Sequence, residues 1–227
     1  MFFDPRYMIM ILPALLLSFY AQMKVKTTFA RFSAIRAGAG YDAASVCRKL
    51  LDGFGLNTVR IERVPGSLTD HYDPRSKVLR LSDSVGGSAS IAAIGVAAHE
   101  VGHAVQDLQH YAPLHVRNSL VPVANIGSNM GMLLFLIGIP LRIGFLMTLG
   151  IVLFSCAVLF QIVTLPVEFD ASRRALAMVR NAGIMSESEL QGAKSVLSAA
   201  ALTYVAATLM AVMQLLYLLS RSRGRRR

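Results

Sequence analysis

The sequence predicts a mainly α-helical membrane protein with a small β-sheet or hairpin and about four transmembrane helices. Apolar residues fill 54% of its 227 positions and the mean hydropathy is +0.52, too apolar for an ordinary soluble protein. Long uncharged runs recur at Tyr7 to Met23, Met130 to Pro140, Phe145 to Pro166 and Ala199 to Leu219. Between the first two, the segment from Val59 to Ser82 has the short-period alternation of strands. The expected organisation is an anchor over 1–23, a folded domain over 24–119, a transmembrane hairpin over 120–166, a polar helix over 167–198, and a last transmembrane helix with a basic tail over 199–227.

The first run is slightly short for a bilayer core of about 30 Å, and its flanks make up the length. Pro13 is tolerable inside a membrane helix. Lys24 and Lys26 follow at once with no small-residue cleavage site, which favours a retained anchor over a signal peptide. From Asp42 to Phe54, Ala43, Ala44, Val46, Cys47, Leu50 and Leu51 recur at helical spacing, and Gly53 and Gly55 end the segment. Val59 to Val64 alternates as a half-buried strand does, and Pro65-Gly66 breaks it. Asp70 to Ser82 reads as strand, turn, strand, with Asp73-Pro74-Arg75-Ser76 as the turn. Such a sheet can offer an edge to an extended substrate through main-chain pairing.

Ser88 to Gln106 reads as a helix rich in Ala and Ile, with Ser88 or Ser90 as its cap. A mostly polar connection runs from Tyr111 to Leu120. The two apolar stretches after it form a hairpin with Arg142 near its tip, and Asn125, Ser128 and Asn129 on its first arm are expected to face protein or a wet cavity. Val167 to Gln191 is helical in spacing, interrupted at Asn181-Ala182-Gly183, and Ser186-Glu187-Ser188-Glu189 is a helix start.

The chemistry sits in the Ala-rich helix, which contains His99-Glu100-Val101-Gly102-His103. Residues four apart share a helix face, so His99 and His103 present two imidazoles to one point, where a zinc ion can be held about 2.0–2.1 Å from each nitrogen. Glu100 is placed to take a proton from a metal-activated water as general base, and Gly102 lets another element approach closely. Catalytic zinc takes three protein ligands and keeps an open position. A third histidine at the metzincin spacing would fall at position 109, which is Gln109; His110 comes one place late. A gluzincin arrangement brings a carboxylate from a later helix. Glu168 is the first choice, read as opening a helix directly after a membrane segment, with Asp170 on another face as the alternative. His71, His110 and His115 are weaker candidates. Two bilayer crossings between the histidine helix and Glu168 return both to one side of the membrane.

The net charge is +10, with five arginines in the tail from Arg221 to Arg227, a pattern suited to anionic lipid head groups. No nucleic-acid-binding motif accompanies it, so nucleic acid is not an expected partner. The two cysteines, Cys47 and Cys156, argue against a disulfide framework. Lys24, Lys26, Arg31 and Arg36 place the catalytic domain in the cytoplasm by the positive-inside count, whereas the tail arginines favour the reverse.

Val64-Pro65-Gly66-Ser67-Leu68-Thr69-Asp70-His71-Tyr72-Asp73-Pro74, the run from Ser90 through His99-Glu100-Val101-Gly102-His103-Ala104-Val105-Gln106, Leu120-Val121-Pro122-Val123-Ala124-Asn125, and Thr164-Leu165-Pro166-Val167-Glu168-Phe169-Asp170-Ala171-Ser172 closely resemble the YugP-type bacterial membrane zinc metallopeptidases. The resemblance implies a neutral zinc endopeptidase of the bacterial cell membrane acting on protein or peptide substrates. A more distant similarity is to the HtpX and CAAX-protease membrane gluzincins. In those, the ligand Glu is followed four residues later by an Asp that orients a zinc-bound histidine; here that place is Ser172, and Asp170 or Asp70 are the candidates for the missing carboxylate. Arg173, Arg174, His71 and Tyr204 are candidates to steady an oxyanion, and none stands out. The competing reading is a non-catalytic membrane quality-control or scaffold protein with a structural zinc, against which stands Glu100, which a structural site does not require.

Overall fold

The computed structural model describes residues 5–223; of the basic tail, Gly224 to Arg227 lie outside the described residues. In chain order the elements are α1 (Pro5–Ser33), α2 (Ala43–Gly53), β1 (Arg60–Val64), β2 (His71–Asp73), β3 (Val78–Ser82), α3 (Ile91–Leu108), α4 (Ala112–Leu141), α5 (Gly144–Asn181) and α6 (Glu187–Arg223). The fold is mainly helical with one three-stranded sheet, and α1, α4, α5 and α6 are long and apolar enough to cross a membrane.

Two expectations about helix limits and one about polar side chains need correction. The segment from Ala112 to Leu120 is the first part of α4 rather than a connection. Residues 167–181 continue α5 without a break at Pro166, so Glu168 lies inside a long helix and does not open one. Proline removes one donor, but its fixed φ is compatible with a helix, and a long apolar helix of the membrane type tolerates it. Asn125, Ser128 and Asn129 are exposed on α4 rather than turned toward protein. Ser128 Oγ and Asn129 Nδ2 donate to the carbonyl of Asn125, so the helix backbone satisfies them.

Four helices end in one way. After α2, α3, α4 and α5 a residue enters the left-handed region (Gly55, His110, Arg142 and Gly183), and the next residue's N–H bonds back five positions, as Ile184 does to the carbonyl of Val179 at 3.1 Å. At the start of α6, Ser186 and Glu189 exchange hydrogen bonds in a capping box, and the other oxygen of Glu189 accepts from Gly38 N–H at 2.6 Å.

The chain divides into two compact units. One comprises Met23–Tyr111 and Val167–Ala201. Its sheet has the order β1-β3-β2, with β1 parallel to β3 and β2 antiparallel to it, so β1 and β2 are the edges. Asp73 builds the turn between β2 and β3 by accepting from Arg75 N–H and Ser76 Oγ. The core of this unit gathers Leu50 and Leu51 of α2, Leu79 and Leu81 of β3, Ile94, Ala97, Ala98 and Val101 of α3, Met178 of α5, Leu197 of α6, and Ile184 from the turn between α5 and α6. Tyr72 Oη and Lys77 Nζ both reach the Asp107 carboxylate and tie the sheet to the end of α3, and burial together with Asp107 pushes the Tyr72 phenol far above its ordinary pKa.

The other unit comprises Met1–Gln22, Ala112–Pro166 and Leu202–Arg227. It packs around Tyr7, Ile11, Phe135, Met147, Phe154, Val158, Tyr217 and Leu218, with the Tyr7 and Tyr217 rings edge to face at 4.9 Å. Its outer face is apolar: Ile9, Phe19, Ile126, Phe145 and Val152 are all more than half exposed. Glycines let α4 and α5 touch backbone to backbone, as is common where lipid offers no hydrophobic drive between helices. A Cβ at Gly150 would stand 2.6 Å from the Gly131 carbonyl oxygen and 2.7 Å from Phe135 N. Gly150→Val is therefore expected to cost about 1–3 kcal/mol and to lower the thermal unfolding midpoint in detergent. An unchanged midpoint would contradict this close packing.

Candidate metal centre

α3 is capped by Ser90, whose Oγ accepts from Ala93 N–H at 3.2 Å. Small residues keep it thin, so neighbours can close on it from several sides. A Cβ at Gly95 would meet that of Ala193 on α6 at 3.2 Å, and one at Gly102 would stand 2.6 Å from the carbonyl oxygen of Ala171 on α5. The second contact assembles the site. It sets Glu168 and Ser172, which flank Ala171, against the histidine face of α3.

Glu168 Oε2 lies 3.2 Å from His99 Nε2 and 3.7 Å from His103 Nε2. The two rings stand edge to face with centroids 4.7 Å apart. One ligand atom from each of His99, His103 and Glu168 falls within 4.8 Å of the others, so the three side chains could hold a metal ion. Glu168 is 3% exposed and His103 8%, whereas His99 is only half-buried.

The donor set fits zinc. It offers two imidazole nitrogens and one carboxylate, with three protein ligands in all. Each ring's other nitrogen already has a partner: Ser172 Oγ lies 3.1 Å from His99 Nδ1, and Gln106 Oε1 lies 3.0 Å from His103 Nδ1. Both Nε2 atoms are thereby left to face Glu168.

Asp170, offered by sequence as the alternative ligand, does not join this group. It sits on another face of α5, where its carboxylate accepts from Gln106 Nε2, Arg173 and Arg174. Asp70 does not supply the carboxylate missing at position 172 either, since it accepts from Ser82 N–H and Oγ at 2.7 and 2.9 Å. Ser172 itself makes the contact to His99. Among the described residues, His71, His110 and His115 lie outside the ligand group. His71 is exposed between the Thr69 carbonyl and Arg80, and His110 is the left-handed residue that ends α3. Of the oxyanion candidates, Arg173 and Arg174 are engaged by Asp170, Arg174 also donates to Gln109 Oε1, and Tyr204 belongs to the other unit.

Burial works to lower the His103 pKa, but contact with the Glu168 carboxylate, the charge of Glu100 and the Gln106 hydrogen bond outweigh it, leaving the ring above its ordinary value. Glu100 is itself 7% exposed, and its charge also bears on Cys47. Burial drives the Cys47 thiol far above the usual range, and it donates to the Ala97 carbonyl as a packing group.

Sequence reasoning missed Gln106. It follows His103 by three positions and so lies on the same helix face; a glutamine one turn beyond the second histidine in an Ala- and Val-rich run was the available signal.

A family described as "Putative neutral zinc metallopeptidase" matches residues 7–223 of this chain. A Bacillus subtilis (strain 168) protein named "Putative membrane protease YugP" is 48% identical over 210 residues, covering 92% of this chain and 93% of the relative. No solved structure matches. The chain belongs to the neutral zinc metallopeptidase family.

Because a backbone carbonyl blocks the space beside Gly102, Gly102→Ala is expected to cost about 1–3 kcal/mol and to push α5 off α3. Zinc content after purification should fall together with the unfolding midpoint. Full zinc occupancy with an unchanged midpoint would refute the contact as the element that builds the site.

Proposed function

We propose that this chain is a membrane-embedded zinc-dependent endopeptidase in which His99, His103 and Glu168 hold the ion and Glu100 is the general base. The observation that carries the reading is the convergence of two imidazole nitrogens and a buried carboxylate within 4.8 Å. Burying Glu168 and both rings has a desolvation cost that a bound cation offsets. Zinc in this position would act as a Lewis acid on the scissile carbonyl and acidify a water molecule.

The chain's own residues do the rest. Glu100 accepts the proton of the attacking water and passes it to the departing amine as the peptide C–N bond breaks. Ser172 and Gln106 hold the two rings by their Nδ1 atoms. His99, the least buried member of the group, marks the side from which substrate enters. Strands β1 and β2 are sheet edges, either of which can pair with an extended peptide. The four apolar helices support a multi-pass location in the cell membrane, with protein or peptide near the bilayer as substrate.

Glu100→Gln should keep zinc at about one ion per chain and lose cleavage of an unfolded protein substrate by about 10²-fold or more; undiminished hydrolysis would remove Glu100 from the mechanism. Hydroxamate binding to the zinc-loaded protein separates catalysis from a structural zinc. Inhibitor uptake reports an open coordination position, and failure to bind favours the scaffold reading.

The pH dependence of loading follows from His103. Its raised pKa means that the metal-free ring holds a proton more tightly than an ordinary imidazole, and zinc must displace that proton. Apparent zinc affinity, measured by chelator competition, should climb as pH rises through the ordinary imidazole value of about 6.5 and keep climbing above it. An affinity flat from about pH 6 to 8 would contradict the assignment of His103 as a ligand.

A further inference from the structure

We infer that Gln106 is a positioning residue for this centre: it selects the His103 tautomer whose Nε2 lone pair faces Glu168. The inference rests on the reading of His99, His103 and Glu168 as metal ligands.

A carboxamide has one acceptor end and one donor end, and its contacts decide which points where. Gln106 has no exposed surface. Its Nε2 lies 2.9 Å from the carbonyl oxygen of Val167 and 2.9 Å from Asp170 Oδ2. Both neighbours are acceptors. The Val167 carbonyl has no proton to give, and the Asp170 carboxylate accepts from the guanidinium groups of Arg173 and Arg174 as well. By these two contacts the amide's hydrogens are both committed, and its oxygen is the atom facing His103. That oxygen lies 3.0 Å from His103 Nδ1, so the ring must carry its proton there. A neutral imidazole protonated at Nδ1 has its lone pair on Nε2, the nitrogen 3.7 Å from Glu168.

His99 has no equivalent constraint. Its Nδ1 faces Ser172 Oγ, and a hydroxyl donates or accepts by rotating. Tautomer selection thus enters the site on the His103 side, through the chain Arg174–Asp170–Gln106–His103. Asp170, which the sequence left as a spare carboxylate, acts here as the anchor that keeps the amide from flipping.

The test uses the full chain in detergent with two variants. Gln106→Leu removes the acceptor, whereas Gln106→Glu keeps an oxygen toward Nδ1 while its second oxygen shares a proton with Asp170 where the amide donated. Histidine nitrogens are followed by 15N NMR on metal-free protein, titrated upward until the His103 signals stop moving, with His103 assigned against His103→Ala. Wild type and Gln106→Glu should show His103 protonated at Nδ1, and Gln106→Leu should shift toward the Nε2–H form. Zinc affinity by chelator competition should fall about 10–100-fold in Gln106→Leu, and Gln106→Glu should recover most of that loss. A wild-type tautomer and wild-type affinity in Gln106→Leu would overturn the inference. Should that variant fail to fold by circular dichroism, Gln106→Glu decides, since an Nε2–H ring there overturns it equally. If wild type takes up no zinc yet shows the Nδ1–H ring, the positioning role stands and the metal reading falls.

Discussion

The site depends on one backbone contact, the seat of the Ala171 carbonyl against Gly102. α3 and α5 approach there so closely that a single Cβ cannot be accommodated without moving main chain. The closeness has a purpose that distance alone explains. A glutamate side chain is short, and Glu168 reaches both His99 and His103 only if its backbone lies against theirs. The same approach lets Ser172, with a shorter side chain still, touch His99 Nδ1. Gly95 opposite Ala193, and Gly192 against Phe32 and Ile91, repeat the device around the same helix. A helix of small residues buries little apolar area itself at about 25 cal/mol per Å². The larger side chains of its neighbours, Leu51, Leu79, Leu81 and Ile184, fill the core instead.

Once α5 is seated, polar groups are carried into the interior and each needs a partner. Gln106, Glu168, Asp170, Glu100 and His103 are all buried. Those facing α5 satisfy one another in an ordered series: imidazole to amide, amide to carboxylate and carbonyl, carboxylate to two guanidinium groups. The series ends at Arg173, whose side chain is 81% exposed, so the compensating charge is solvated rather than buried. Buried networks of this kind are stabilising only when complete, because an unpaired member bears its full desolvation cost. The Glu168 end differs. Its partners are two imidazoles, and the three side chains together could hold a metal ion, whose charge would offset the cost of burying the carboxylate. Family membership in the neutral zinc metallopeptidases agrees with that chemistry.

Helix ends set where the chain re-enters each layer. The repeated left-handed residue after α2, α3, α4 and α5 satisfies the last carbonyls and reverses the chain within a few positions. At His110 and Arg142 the role falls to residues other than glycine, which costs some backbone energy. Pro166 works oppositely. It reads as a stop, yet the helical segment α5 runs through it.

Sequence alone determined the local facts: the apolar runs, the strand pair around Asp73-Pro74, a serine cap at Ser88 or Ser90, the helix start at Ser186, the histidine pair one turn apart and the close approach that Gly102 permits. Each depends on periodicity or on side-chain chemistry within a few residues, which a linear reading captures. Glu168 was also legible as the best of several carboxylates, because an acid had to come from a later helix. Tertiary structure alone decided that Asp170 serves the amide rather than the metal, that Ser172 suffices against His99, and that Gln106 is tied to Val167 and Asp170. The reason is geometric. Glu168 and Asp170 are two residues apart on one helix and so point about 200° apart around it, and which of the two faces α3 is fixed by how the helices pack, a quantity that no spacing within either helix contains.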